Sequence, residues 1–170
     1  LGMSFEASCY TNPGKLYIQM PDRFDSHLAK MLAKYSVNYK KIDEDEALNP
    51  EHILKRMVIC PSGQEREEFL QKVDVSKLDC ELKKDSSMHV GYNGQNGSGL
   101  KYDRFKAFLK TNQEIRSPII YLRKLPSGEI ETHIYDGRHR FAVLRDMGIK
   151  QIPVTIDKDS LELAKEIGLV

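Results

Sequence analysis

The segment from Ile134 to Val154 most constrains how this chain can fold, because its residues predict a strand, a tight turn, a short helix and a second strand. An apolar run ends at Asp136, and Gly137 then permits a sharp reversal that a residue with a Cβ would resist. Gly148 stands where a helix C-terminus favours a left-handed residue. The apolar run 152–156 follows as a buried strand. We therefore expect a short helix held by a sheet at both ends.

The first turn of this helix carries Arg138, His139 and Arg140. Backbone N–H groups in a first turn have no intrahelical partner, and the helix dipole is positive there. Two guanidinium groups beside such N–H groups suit a phosphate or a carboxylate. The pattern predicts an anion site over 136–140, with both arginines at an open helix start. A purely structural alternative stays open, in which Asp136 accepts from the N–H groups of the turn and Arg140 pairs with a carboxylate such as Asp146 or Glu131.

The block Asp-Gly-Arg-His-Arg at 136–140, followed by Ala142, Leu144, Gly148 and Ile-Pro-Val at 152–154, resembles the signature of the ParB N-terminal domain and sulfiredoxin superfamily. The likeness extends more weakly upstream, to an opening strand at 72–78, a small helix at 102–109 and the strand before the hairpin at 117–120. It implies a mixed α/β fold with a ParB/sulfiredoxin-like core over 71–170. Residues 1–70 then form an N-terminal α/β extension, in which the sequence shows no catalytic pattern.

The resemblance implies that the turn and helix start hold the phosphates of a nucleotide. Members of the superfamily include a CTP-hydrolysing DNA-partition switch, an ATP-dependent cysteine sulfinic acid reductase, a free-serine kinase and nucleases, so the fold does not select the reaction. Sulfiredoxin needs a cysteine directly after the turn glycine, and this chain has Arg138 there. Reductase activity is therefore not expected.

Roles for the predicted site follow from side-chain chemistry. Gly137 permits close backbone approach, while Arg138 and Arg140 neutralise phosphate oxygens. Asp136 is expected to hold Mg²⁺ or to orient an attacking hydroxyl, and His139 to donate to a phosphate or act as an acid–base group near neutral pH. The predicted catalytic residues are thus Asp136 and His139, the predicted metal ligand is Asp136, and the predicted cofactor is ATP, ADP or CTP.

A glycine-rich segment between Asp85 and Leu100 lacks periodicity and predicts a long loop. Long loops inside compact domains are usually functional or disordered, so the segment has two interpretations, a lid over the ligand or a mobile linker. His89 opens the loop, and Arg104 lies on a predicted helix over 101–109 at its far end. Both are predicted to contact the nucleotide; the alternatives are a structural histidine and a solvated arginine.

Other elements follow from local signals. Strands are predicted at 15–20, 37–42 and 57–60, and a hairpin turns at 126–128. Helices are predicted from Asp22 or Asp25, from Asn49-Pro50, and over 64–73 with Ser62 as its cap. The acidic run 43–46 is predicted to be a solvated loop, and Arg145 and Asp146 are predicted to be exposed to water.

Composition bounds the function. The 170 residues carry 26 basic and 25 acidic side chains, for a net charge of +1, so nothing in the overall balance requires nucleic acid. The cysteines, at positions 9, 60 and 80, form no Cys-x-x-Cys pair, which favours a reducing, cytoplasmic setting, and no apolar run is long enough to span a membrane. The sequence predicts nucleotide hydrolysis or phosphotransfer to a small-molecule or protein acceptor. The alternatives are a nuclease or DNA-binding module using the same arginines, and a catalytically silent interaction domain.

Overall fold

A computed structural model describes residues 43–170. The helices are α1 (Glu44–Ala47), α2 (Pro50–Arg56), α3 (Val75–Leu82), α4 (Gly99–Leu109), α5 (Arg138–Asp146) and α6 (Lys158–Glu166), with a 3₁₀ helix at Tyr92–Gly94. The strands are β1 (Met57–Val58), β2 (Glu68–Asp74), β3 (Ile115–Arg116), β4 (Ile119–Lys124), β5 (Ile130–Asp136) and β6 (Gln151–Asp157). The predicted strands at 15–20 and 37–42, the helix from Asp22 or Asp25, and Cys9 lie outside the described residues.

The main sheet has four strands in the order β2, β6, β4, β5. The outer pairs β2–β6 and β4–β5 are antiparallel, and the central pair β4–β6 is parallel, with Ile119 opposite Thr155. Strands β1 and β3 form a separate parallel pair. The predicted mixed α/β fold and the predicted hairpin are confirmed, and β5 is an edge strand of the sheet.

Helices pack on this sheet and on one another to form the core. Helix α4 packs against α5, α3 against β5, and α6 against β4. The apolar face predicted for α4 is buried, with Tyr102, Phe105, Phe108 and Leu109 at its core positions. Strand β6 is buried almost throughout. The predicted strand–turn–helix–turn–strand segment is therefore anchored on both sides by packed elements.

The prediction of a helix over 64–73 is wrong. Residues 68–74 form β2 instead and pair with β6 along all seven positions. This ladder overrides the local capping signal, because tertiary pairing outweighs intrinsic preference in so short a segment. Ser62 hydrogen-bonds to the Glu68 carboxylate rather than serving as the cap of a helix. The opening strand expected at 72–78 is wrong beyond residue 74, because the Asp74 side chain accepts from the Lys77 N–H and caps α3, which begins at Val75.

The acidic run at 43–46 is exposed, as predicted, but it is not a loop. The Asp43 side chain accepts from the Asp45 N–H, and Glu44 to Ala47 form one helical turn. Acidic side chains in the first turn interact favourably with the positive end of the helix dipole, so this run forms a helical turn instead of the predicted loop. The next helix begins at Pro50 with Asn49 as its cap, as predicted.

Within residues 43–170, no helix is long and apolar enough to cross a membrane.

Candidate anion-binding site

The turn between β5 and α5 has the geometry that the sequence predicts. Gly137 lies at φ 90°, in the left-handed region. A Cβ at this position would lie 2.7 Å from Arg140 Nη2 and 3.0 Å from the Cα of Pro118, so glycine is required for space as well as for conformation. A bulge in the β4–β5 pairing falls at Tyr135, directly before the turn. Such bulges re-aim the strand end, here the end that carries Asp136.

Helix α5 differs from its neighbours at its N-terminus. The other five α-helices of the described residues each have a side chain that accepts from a first-turn N–H, namely Asp43, Asn49, Asp74, Ser98 and Asp157. At α5 the cap position is Gly137, which has no side chain to accept, and the first turn contains no acidic residue. The first-turn N–H groups of α5 therefore lack the internal acceptor that the other helices have.

The two arginines of this turn occupy different environments. Arg138 is partly exposed and donates from Nη1 to the Met88 carbonyl at 3.3 Å. Arg140 is 1% exposed, so the expectation of an open position is wrong for it. Its Nη2 lies 3.6 Å from Asp136 Oδ2 and donates to the Ser117 carbonyl at 3.3 Å. Arg140 supports the turn from beneath, while Arg138 presents its charge at the surface.

Asp136 joins the turn to this buried arginine. Its side chain is 41% exposed and pairs with Arg140. The structural alternative is thus realised in part, because Arg140 does pair with a carboxylate, but its partner is Asp136 and not Asp146 or Glu131. Among residues 43–170, no group of three or more His, Cys, Asp or Glu side chains could hold a metal ion. Coordination of Mg²⁺ by Asp136 remains a prediction, and it would need phosphate and water oxygens as further ligands.

His139 has a structural contact that the sequence did not reveal. Its ring is 6% exposed, and Nε2 accepts a hydrogen bond from the Ser98 N–H at 2.9 Å. Burial, together with the charges of Arg138 and Lys101, lowers the pKa of His139 to about 4. The ring is therefore neutral at pH 7 with Nε2 as an acceptor, which disfavours the predicted acid–base role near neutral pH.

The glycine-rich loop is folded onto α5 through several hydrogen bonds. The Asn93 N–H donates to Asp146 Oδ2 at 3.1 Å, and Arg145 donates to the Val90 carbonyl at 2.7 Å. Asn96 donates to two carbonyls within the loop, those of Ser86 and His89. These bonds place the loop against α5, where it forms a wall beside the turn.

Buried charges link this wall to the helices. Arg145 donates to Asp79 at 3.0 Å and to Asp146 at 3.0 Å, and Tyr102 donates to Asp146 at 2.7 Å. The side chains of Arg145 and Asp146 are 14% and 10% exposed, so the prediction that both are exposed to water is wrong. They are buried because α4 and the loop cover this end of α5. Burial alone would raise the pKa of Asp79, but hydrogen bonds from His89 and Arg145 outweigh it, and the pKa falls below its usual value.

A cavity of about 120 Å³ lies between β5, α5 and the segment 82–90. Arg138 and His89 both line it, so the structure brings these two predicted residues together. Apolar side chains form much of the remaining wall, among them Leu82, Val90, Ile134 and Phe141. Arg104 lies partly buried on α4 and is not one of the residues that line the cavity. Sequence reasoning missed Asp79 and Thr132, since neither lies in a recognisable motif.

The fold and this site together define a mixed α/β domain with a strand–glycine–helix turn suited to an anion. No protein-family model and no curated protein matches the chain. The chain is similar to a solved structure, the gold(I) cyanide derivative of Oncogenic Suppression Activity Protein, a plasmid fertility inhibition factor. The TM-score is 0.46 with 15% sequence identity, over 83% of this chain and 82% of that chain. A likeness at this level assigns neither a family nor a function.

Proposed function

We propose that the turn formed by Asp136 to Arg140 binds the phosphate groups of a nucleotide. The observation that carries the proposal is the uncapped, cationic N-terminus of α5. The other described α-helices satisfy this end with a side-chain acceptor, and α5 does not. A phosphate placed there would accept from the first-turn N–H groups, interact favourably with the helix dipole and pair with Arg138.

The electrostatics of the turn favour an anionic ligand. A cation in the first turn of a helix opposes the dipole by about 0.3–1 kcal/mol, and α5 carries two such residues. The Asp136 carboxylate balances the charge of Arg140, whereas among residues 43–170 the Arg138 side chain donates to Met88 alone. A bound phosphate would turn this unfavourable placement into a favourable one. The resemblance of the 136–154 block to the ParB and sulfiredoxin superfamily makes a nucleotide the preferred source of that phosphate.

The proposed reaction is nucleotide hydrolysis or phosphotransfer, with ATP or CTP as the phosphoryl donor and Mg²⁺ shared between Asp136 and the phosphates. The cavity beside Arg138 offers room for a small acceptor next to the phosphate position. Nucleic acid is not favoured as the ligand. Burial of Arg140 leaves one guanidinium at the surface of the turn, and the net charge is only +1.

A thermal-shift panel tests the proposal. ATP, ADP, CTP, GTP, a short DNA duplex and a single strand would each be added with and without Mg²⁺. A ligand at about 100 times its Kd adds about 2.7 kcal/mol to the stability of the folded state, which corresponds to a rise of roughly 5–10 °C for a chain of this size. We expect one nucleotide to give this rise.

The variant Arg138→Ala should reduce the rise by about half or more, and Lys165→Ala is the matched control. Lys165 is an exposed cation on α6 whose one ion pair among residues 43–170 is with Glu162 of the same helix, so its removal changes the net charge equally. A rise with DNA alone that disappears at high salt would replace the proposal with a nucleic-acid-binding module. No rise with any ligand would replace it with a silent interaction domain.

A further inference from the structure

His89 and Asp79 form a buried pair beside the cavity. His89 Nε2 lies 2.8 Å from Asp79 Oδ1, and Asp79 is 8% exposed. Arg145 Nη1 also lies 3.3 Å from this nitrogen, but its two protons are directed to closer acceptors, the Val90 carbonyl at 2.7 Å and Asp79 at 3.0 Å. The proton between His89 and Asp79 is therefore on Nε2. The lone pair of His89 is then on Nδ1, which has no hydrogen-bond partner within residues 43–170.

The cavity contains a second polar group that lacks a partner. Thr132 lies on the edge strand β5 and is 5% exposed, and its Oγ1 makes no hydrogen bond within residues 43–170. A buried hydroxyl without a partner costs free energy, so this group is suited to a polar ligand. Thr132, His89 and Arg138 all line the same cavity.

The size and lining of the cavity define the class of ligand. Its volume is about 120 Å³, and a cavity of about 150 Å³ holds a molecule the size of benzene. The apolar walls formed by Leu82, Val90 and Phe141 favour a molecule with carbon groups. The polar side chains that share the lining, His89 and Thr132 among them, favour one with a hydroxyl. A neutral alcohol of about six non-hydrogen atoms or fewer meets both conditions.

We propose that His89 Nδ1 is the general base for a small neutral alcohol bound in this cavity, a role that rests on the nucleotide binding proposed above. The hydroxyl proton moves to Nδ1 as the oxygen bonds to the terminal phosphorus of a nucleoside triphosphate. The bond from that phosphorus to its bridging oxygen breaks, and nucleoside diphosphate leaves. The products are a phosphate monoester and nucleoside diphosphate, and the imidazolium returns its proton to solvent.

Asp79 is a positioning residue in this scheme. It fixes the ring with Nδ1 unprotonated and stabilises the imidazolium that forms. The charged and titratable groups that face His89 or line the cavity come from several elements: Asp79 from α3, Arg145 and Arg138 from α5, Tyr121 from β4, His133 from β5, and Asp85 from the loop. Replacing Asp79 by asparagine removes the closest negative charge, so the rising limb of the pH–rate profile should move to lower pH.

The experiment uses the full chain, with ATP or CTP as phosphoryl donor, Mg²⁺, and ethanol, 1,2-propanediol or glycerol as the alcohol. Phosphate-ester and diphosphate products are measured by ³¹P NMR, nucleotide binding is measured by calorimetry, and folding of each variant is checked by thermal melting. We expect His89→Gln and His89→Ala to bind nucleotide within about threefold of wild type but to lose about 10²–10⁴-fold in turnover.

Two comparisons separate a base from a structural histidine. Imidazole in solution should restore turnover to His89→Ala and not to His89→Gln, because the alanine variant leaves room for the free base and a structural loss would not be repaired by it. His52→Gln is the control, since His52 lies on α2 and contacts Asn112 outside this cavity. This variant should retain full turnover.

The outcomes distinguish this inference from the proposed function. Nucleotide binding with equal turnover in wild type and His89→Gln overturns the role of His89 alone. Nucleotide binding with no turnover in the wild type, in water or with any of the alcohols, also overturns it and leaves the binding site in place. Absence of nucleotide binding refutes the proposed function and this inference together.

Discussion

The contact between His139 and the glycine-rich loop predicts a specific dependence of stability on pH. The unfolded ring takes up a proton below pH 6.5, whereas the folded ring does so only near pH 4, because burial and nearby cations lower its pKa to about 4. Between these values the unfolded state binds more protons. The free energy of unfolding therefore rises with pH through this window, and stability is lost as the pH falls from 6.5 to 4.

The size of this effect follows from the difference between the two pKa values. At 1.36 kcal/mol per pH unit, it amounts to about 3 kcal/mol over the whole window. Protonation also removes the lone pair with which Nε2 accepts from the Ser98 N–H. The loop should therefore loosen from α5 over the same range of pH in which the stability falls.

The variant His139→Gln isolates the effect, since a glutamine side chain offers an acceptor to Ser98 and does not titrate. Urea unfolding would be followed for both proteins at about pH 7 and about pH 4.5. Wild type should lose about 2–3 kcal/mol more than the variant, because carboxylates such as Asp79 and Asp157 titrate equally in both. His139→Phe, which neither accepts from Ser98 nor titrates, should be less stable than His139→Gln by about 1–3 kcal/mol at both pH values. An equal loss of stability in wild type and His139→Gln would refute the reasoning.

Three further predictions concern stability, each measured by urea unfolding. Gly97→Ala should lower the free energy of unfolding by about 1–3 kcal/mol, because its Cβ would lie 2.8 Å from His139 Nε2. Gly99→Ala, whose Cβ would meet no atom within 4 Å, should be neutral or slightly stabilising. Equal effects of the two substitutions would contradict this packing. Arg140→Met should lower the free energy of unfolding by about 1–3 kcal/mol, because it removes the contacts to Asp136 and Ser117. Arg138→Met should change it by no more than about 0.5 kcal/mol. A larger loss in Arg138→Met than in Arg140→Met would exclude Arg140 as the support of the turn. Arg56→Met should lower the free energy of unfolding by about 3 kcal/mol, since the buried guanidinium donates to the Ala47 and Leu109 carbonyls at 2.9 Å. An unchanged free energy of unfolding would show that these bonds make no net contribution to stability.

The strand–turn–helix block could be predicted because its signals are local. Gly137 and Gly148 both adopt positive φ, at 90° and 79°, and each lies at an end of α5. The burial of Arg140 could not be predicted in the same way. Arg140 lies one helical turn before Leu144 and shares its buried face, and a sequence gives no sign that a guanidinium will occupy an apolar face.

Long-range contacts account for the other differences between prediction and structure. Strand β2 forms because β6, about 80 residues away, pairs with all of it. The pairing of Asp79 with Arg145 spans 66 residues, and neither residue lies in a motif for such a contact. The bond from Ser98 to His139 spans 41 residues and gives the histidine a role that its position in the motif did not indicate. Local patterns thus predicted the turn but not the groups that hold it in place.

Calorimetric titration of Arg138→Ala with the nucleotide that stabilises the wild type tests the central claim most directly. Loss of a hydrogen bond to a charged group corresponds to about 1.5–3 kcal/mol, or a Kd about 10- to 150-fold weaker. The fold should be unaffected, because Arg138 is partly exposed and its hydrogen bonds among residues 43–170 are long ones to Met88, at 3.3 Å to the carbonyl and 3.9 Å to the sulfur. A Kd weakened by this factor in Arg138→Ala, with Lys165→Ala unchanged, is the result we predict. Equal affinity in wild type and Arg138→Ala would contradict the assignment of the turn as the phosphate site.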